Sequence, residues 1–104
     1  MFGKKNEIEP SGEFFTVFDS KAKNYREPFP APNSEVVIRD FVTAFKKPDA
    51  AEKNQYYQNA EDFSLFKCAV FSLKTGEIQG CTLEHVANLH DLRALAAPRA
   101  LSTT

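Results

Sequence analysis

Tryptophan is absent from the chain, and glycine occurs only 4 times, methionine once and cysteine twice in 104 residues. Each shortage excludes something. So few glycines leave no place for a phosphate-cradling loop or a dinucleotide fingerprint, and neither pattern occurs. Two cysteines do not make a disulfide scaffold, and without a secretion signal they are expected as free thiols in a reducing compartment. The start, MFGKKNEIEPSGEF, carries Lys4 and Lys5 with no apolar run behind them, so no signal peptide is expected. Phe2 stands where myristoylation requires glycine. No stretch approaches the roughly 20 apolar residues of a membrane-spanning helix.

An excess of positive charge is lacking as well. Lysine and arginine number 13 against 14 aspartates and glutamates, for a net charge of −1. That excludes a protein that coats nucleic acid by bulk electrostatics and leaves room only for local basic patches. What the chain has instead is phenylalanine, 10 of them against 3 tyrosines. A phenyl ring has no polar handle, so most of these rings belong in a core or an interface. The length suits a single small domain.

Along the chain, residues 1–13 read as a flexible arm, 14–97 as one α+β domain and 98–104 as a disordered tail. Residues 14–19 (FFTVFD) read as a strand with Phe15 and Val17 on one face and Phe14 and Phe18 on the other. Both faces are apolar, so both need cover. Pro28, Pro30 and Pro32 impose an extended path that lays Phe29 on the core. Asn33 or Ser34 can cap a helix that carries Ile38, Phe41, Val42 and Phe45 on one stripe, stopped by Pro48. Residues 49–59 read as a short helix or ordered loop. Residues 62–73 (DFSLFKCAVFSL) form the longest strand candidate, and Lys74-Thr75-Gly76 turns it into a short antiparallel return over 77–81.

A last helix is expected over 83–97, capped by Thr82. Its apolar residues Leu83, Val86, Leu89, Leu92 and Leu95 recur every third position, which precesses by roughly 60° per step around an α-helix. The expected architecture is therefore a sheet of about three strands, one amphipathic helix across it and a C-terminal helix. A crossover through the first helix would make the two long strands parallel. One helix cannot cover two apolar faces, so self-association, or a C-terminal helix wrapping the second face, is expected.

The runs FTVFDSKAKNYREPFPAPN, VIRDFVTAF and EDFSLFKCAVFSLKTGEI, in this order, resemble the small nonstructural protein of gokushovirus-type microviruses, single-stranded DNA bacteriophages. The likeness covers roughly residues 14–80 and lies in the ordered set, since no single motif in it is specific. Ser72, Ala69 and Ala60-Glu61 depart from the family's habit. The resemblance implies a DNA-binding protein that is absent from the virion, acts in the host cytoplasm, and serves the switch from double-stranded replication to single-stranded progeny genomes.

Such a role needs cations for phosphates and rings for bases. Three patches offer them. Lys21, Lys23, Tyr25 and Arg26 lie beside the first strand; Arg39, Lys46 and Lys47 lie on the polar side of the helix; Lys53 stands near Tyr56 and Tyr57. Lys4 and Lys5 could add a tether. Each patch also reads as an ordinary solvated face, with Asp19, Glu27, Asp40 and Glu52 among the cations. Arg39 could instead pair with Glu35, Asp19 could cap a turn, and Phe66 could stack on a base or sit in the core. Cys68, Cys81, His85 and His90 have the spacing C-x12-C-x3-H-x4-H, which lacks the paired knuckle of a zinc module. No metal, no cofactor and no catalysis are expected. Single-stranded DNA is the expected partner, with a second copy of the chain and phage or host replication proteins beside it. The alternative is a protein–protein module acting on host replication or capsid-assembly factors.

Overall fold

The computed structural model describes residues 8–98, and a single antiparallel sheet lies at its centre. Strand β1 (Gly12–Asp19) turns through residues 20–23 into β2 (Asn24–Tyr25), and the proline-rich run continues as β3 (Phe29–Ala31) along the same side of β1. Helix α1 (Ser34–Phe45), two single-turn helices, α2 (Ala50–Lys53) and α3 (Gln55–Gln58), and a 3-10 turn (Ala60–Asp62) carry the chain to β4 (Phe63–Phe71) on the other side of β1. β5 (Ile78–Asn88) lies outside β4, and α4 (Leu89–Ala96) follows it directly.

The α+β class holds, but the three-stranded sheet with two helices does not. Among the described residues the sheet has five strands and four helices accompany it. β1 and β4 are antiparallel, with Asp19 opposite Phe63 and Gly12 opposite Phe71, so the parallel crossover is overturned. The turn at 20–23 has already reversed the chain, and the 3-10 turn then delivers β4 at the Asp19 end of β1. β2 and β3 escaped the sequence reading because segments of two and three residues carry no periodicity. Pro30 sits in β3 on the outer edge of the sheet, where its missing N–H costs no ladder bond.

Helix α1 forms as its sequence predicts. Asn33 Oδ1 accepts the Val36 N–H at 3.0 Å, Glu35 stands in the first turn, and the stripe turns inward. Val37 and Phe45 are buried, and Ile38, Phe41 and Val42 pack against the same core. From the sheet that core takes Phe15, Val17, Phe63 and Leu65, and from α4 it takes Leu89, Leu92 and Ala96. Phe29 packs onto it too, its ring 6.2 Å from that of Phe15.

The last helix begins at Leu89, not at Leu83. Residues 78–88 are one long strand, which explains the odd spacing: Leu83 and Val86 belong to β5, and only Leu89, Leu92 and Ala96 form a helical face. β4 also departs from strict alternation. Its partner in β1 steps from Lys67 opposite Phe15 to Ala69 opposite Phe14, so Cys68 is an extra residue, a bulge. The bulge inverts the alternation after it. Ala69 and Phe71 therefore leave the face of Phe63 and Leu65 and join that of Phe14.

Candidate nucleic-acid interface

Phe15, Val17, Phe63 and Leu65, the sheet residues of the core cluster, point to one side, toward the helices; Thr16 and Ala69, on the other side, are buried as well. The other side carries a different set, Phe14, Phe18, Tyr25, Phe66 and Phe71, none of which belongs to the core or packs against it. Registry explains their company. Phe18 is opposite Tyr25, Thr16 is opposite Phe66, and Phe66 is opposite His85, and residues opposite each other share a face. The rings form a row across four strands: Phe18 to Tyr25 at 4.8 Å, Tyr25 to Phe66 at 5.8 Å and Phe66 to His85 at 5.4 Å between centroids. Toward the other end of the sheet, Phe14 and Phe71 meet edge to face at 5.3 Å. Tyr25 is 45% exposed, and among the described residues no helix covers the row.

Lys21 and Lys23 stand in the turn at the Tyr25 end, both exposed. Asp19 shapes that turn, as a cap. Its Oδ1 accepts the N–H groups of Lys21 and Ala22 at 3.0 and 3.2 Å, and its carbonyl accepts that of Lys23 at 2.7 Å. Lys23 takes a left-handed backbone, φ 61°, which costs a non-glycine residue some strain and fixes its direction.

The remaining sequence candidates divide differently from their order in the chain. Arg26 does not join Tyr25. Adjacent residues of an extended segment point to opposite faces, and the Arg26 guanidinium lies on the helix side, 5.4 Å from the ring centroids of both Tyr56 and Phe63. There it faces a groove of about 430 Å³ that Lys47, Lys53 and Tyr56 also line. Lys46 borders a separate depression between the end of α1 and α4. Arg39 lies on the exposed side of α1, 3.7 Å from Asp40. Tyr56 packs on Phe41 and Phe63, and Tyr57 on Phe45 and under Arg93, so both rings bind the short helices to the core. Lys4 and Lys5 fall outside the described residues. Phe18 and His85 were missed as site residues. The apolar outer face of β1 hinted at the first, and assigning residues 83–97 to a helix hid the second.

On the helix side, beyond α1 and α4, Lys67 Nζ stands 3.2 Å from Glu13 Oε2 and 3.9 Å from Glu84 Oε1. The Glu13 contact raises its pKa above the ordinary lysine value. Burial pushes the Cys68 thiol up, which makes it a poor nucleophile. Arg93 hydrogen-bonds Glu61, holding that carboxyl below its usual range, and also donates to the Tyr57 carbonyl at 2.7 Å. Among the described residues no group of three or more metal-binding side chains comes together. His85 instead contacts Asn88, 3.0 Å away. No helix among them is long and apolar enough to cross a membrane.

No curated protein and no solved structure matches the chain. A family model described as Phage ORF5 protein matches residues 12–92. That span begins with the first residue of β1 and ends inside α4, so it takes in the whole sheet, its ring row and most of the helical cover. Over most of its length, then, the chain belongs to the Phage ORF5 protein family.

Proposed function

We propose that this phage protein binds single-stranded DNA without strong sequence choice, laying bases on the open face of its sheet. The observation that carries the reading is the ring row Phe18–Tyr25–Phe66–His85 on a face that no helix of the described residues covers. Every base has a π-face, so base–ring stacking is tolerant of sequence and contributes roughly 1–3 kcal/mol per base. Lys21 and Lys23 at one end supply phosphate contacts. The resemblance to the nonstructural protein of gokushovirus-type microviruses supports the same role, in the host cytoplasm, at the switch to single-stranded progeny genomes. A net charge of −1 suits modest affinity confined to one face.

Fluorescence polarisation with single- and double-stranded oligonucleotides at two salt concentrations tests this. Single strands should bind more tightly, with a log–log salt slope near −0.7 per contacted phosphate. Tyr25→Ala should weaken binding to every sequence by roughly tenfold or more. Affinity that ignores both salt and this substitution would sink the reading.

A second reading, a protein–protein module, draws on the far end of the same face. Leu73 is 80% exposed and Ile78 65% exposed, and they border an apolar depression of about 460 Å³ with Phe14 and Phe71. Docking of a protein there would be lost on Leu73→Asp and would change little with salt.

A further inference from the structure

The ring row ends at the β2 edge, and so does a groove on the opposite side of the sheet. Tyr25 and Arg26 are consecutive, yet the Tyr25 ring meets Phe18 and Phe66 on the open face, while the Arg26 guanidinium meets Tyr56 and Phe63 on the helix side. Among the described residues, β2 has β1 on one side and no strand on the other. A chain lying on Tyr25 has only that thin edge to cross before it reaches Arg26.

Three cations converge where it would arrive. Arg26 follows β2, Lys47 lies just past α1 and Lys53 closes α2, and all three line the same groove. Sequence placed them in three unrelated patches; only the fold brings them together. Asp49 is the one carboxylate among the lining residues. The ion pairs that occupy the cations are long: Lys53 to Asp49 at 3.9 Å, between exposed side chains, and Arg26 to Asp19 at 3.9 Å, with the carboxylate half-buried. Such pairs are weak, and a phosphate can replace them. Arg26 is also held in place by two rings, which lowers the ordering cost of a contact it makes.

We propose that this groove is a phosphodiester-binding channel for the same single strand, so that DNA stacked on the open face bends around the β2 edge and runs its backbone past Arg26, Lys47 and Lys53. The proposal rests on reading the ring row as the platform for bases. It makes the footprint longer than the open face and gives the two sides of the sheet separate tasks: rings for bases in front, cations for phosphates behind.

Length dependence separates the two. Labelled oligothymidylates of about six and about twenty nucleotides, spanning the usual range of single-strand site sizes, would be titrated against the full chain and against the double variant Lys47→Ala/Lys53→Ala. Both side chains are exposed, so the variant should fold, and circular dichroism checks that it does. The parent should bind the longer strand more tightly. The double variant should lose roughly tenfold for the longer strand, with a salt slope shallower by about 1.4, that is, two contacts at 0.7 each. Its affinity for the short strand should match the parent's. A folded double variant that binds the long strand as the parent does, with an unchanged slope, overturns the channel and leaves the ring row standing. Equal losses for both lengths also overturn it, because they mean general electrostatics instead of a path around the edge. A parent that binds neither length overturns the ring-row reading itself.

Discussion

Leu65 and Phe66 are neighbours in β4 and live in different surroundings. Leu65 is fully buried beneath the helices; Phe66 lies across from it, half-buried among Tyr25 and His85, with no helix of the described residues over the row. The same contrast runs through the sheet. Phe15 and Val17 are closed off by α1 and α4, whereas Phe14 packs its ring on Phe71 and Phe18 on Tyr25, outside that core. The two faces are comparably apolar in sequence, so hydrophobicity alone does not decide which becomes core. Helix supply does. α1 and α4 both carry their apolar stripes to one side, the tyrosines of the short α3 pack there too, and among the described residues no helix lies on the other. Among the described residues, then, five aromatic rings share a face that carries no helix, and exposed apolar faces of this kind are where binding surfaces are sought.

The largest expected effects test that asymmetry directly. Leu65→Ala should cost about 2–5 kcal/mol of stability, because it opens a cavity between sheet and helices. Phe66→Ala should cost less, about 1 kcal/mol, since part of that ring is already in water. Urea unfolding measures both. The order should invert for single-stranded DNA: Phe66→Ala weakens binding by roughly 1–3 kcal/mol, while folded Leu65→Ala binds as the parent does. Equal destabilisation by the two substitutions would mean that both faces are core, and the comparison would fail.

How much of this was legible beforehand depends on the range of the interactions. Helix α1 was, because its cap, its stripe and its stop at Pro48 are all local. The two-sided character of β1 was legible too, from alternation alone. The bulge at Cys68 was not. It is a mismatch between two strands separated by more than 40 residues, and it moves Phe71 from the face where strict alternation puts it to the face of Phe14. The boundary at Leu89 was hidden for another reason. A three-residue spacing fits neither a strand nor a helix, and the true answer was one of each. The convergence of Arg26, Lys47 and Lys53 is wholly tertiary, as no spacing in the sequence relates them.

A smaller test lies where the open face ends. Gly12 is opposite Phe71, and a Cβ at Gly12 would come within 2.5 Å of the Phe71 Cζ and 3.2 Å of the Ala31 carbonyl oxygen. Gly12→Ala must therefore displace the ring from its edge-to-face contact with Phe14. The expected cost is about 1–2 kcal/mol, through overpacking and the lost ring pair. DNA binding at the Tyr25 end should be untouched. An unchanged unfolding midpoint would show that Phe71 moves freely and that this end of the open face is not a fixed surface.

The smallest effect comes from the covered face where its helices run out. Phe15 is opposite Lys67, so Lys67 points to the helix side, yet it meets Glu13 and Glu84 instead of apolar cover. Its side chain is 23% exposed, and such a pair contributes only a few tenths to about 1 kcal/mol. The Glu13 contact raises the folded-state pKa above the ordinary 10.5. A raised lysine pKa means that the folded state holds its proton more firmly than the unfolded state does. The stabilisation is therefore complete below pH 10.5 and is lost as pH rises through the folded-state value. Lys67→Met removes the group that titrates, so parent and variant should differ by a constant amount from neutral pH to about pH 10 and converge above it. A difference that stays constant into strong alkali would mean that Lys67 acts by packing its stem and not by its charge. The covered face would then be apolar to its very edge, and the contrast with the open face would be sharper still.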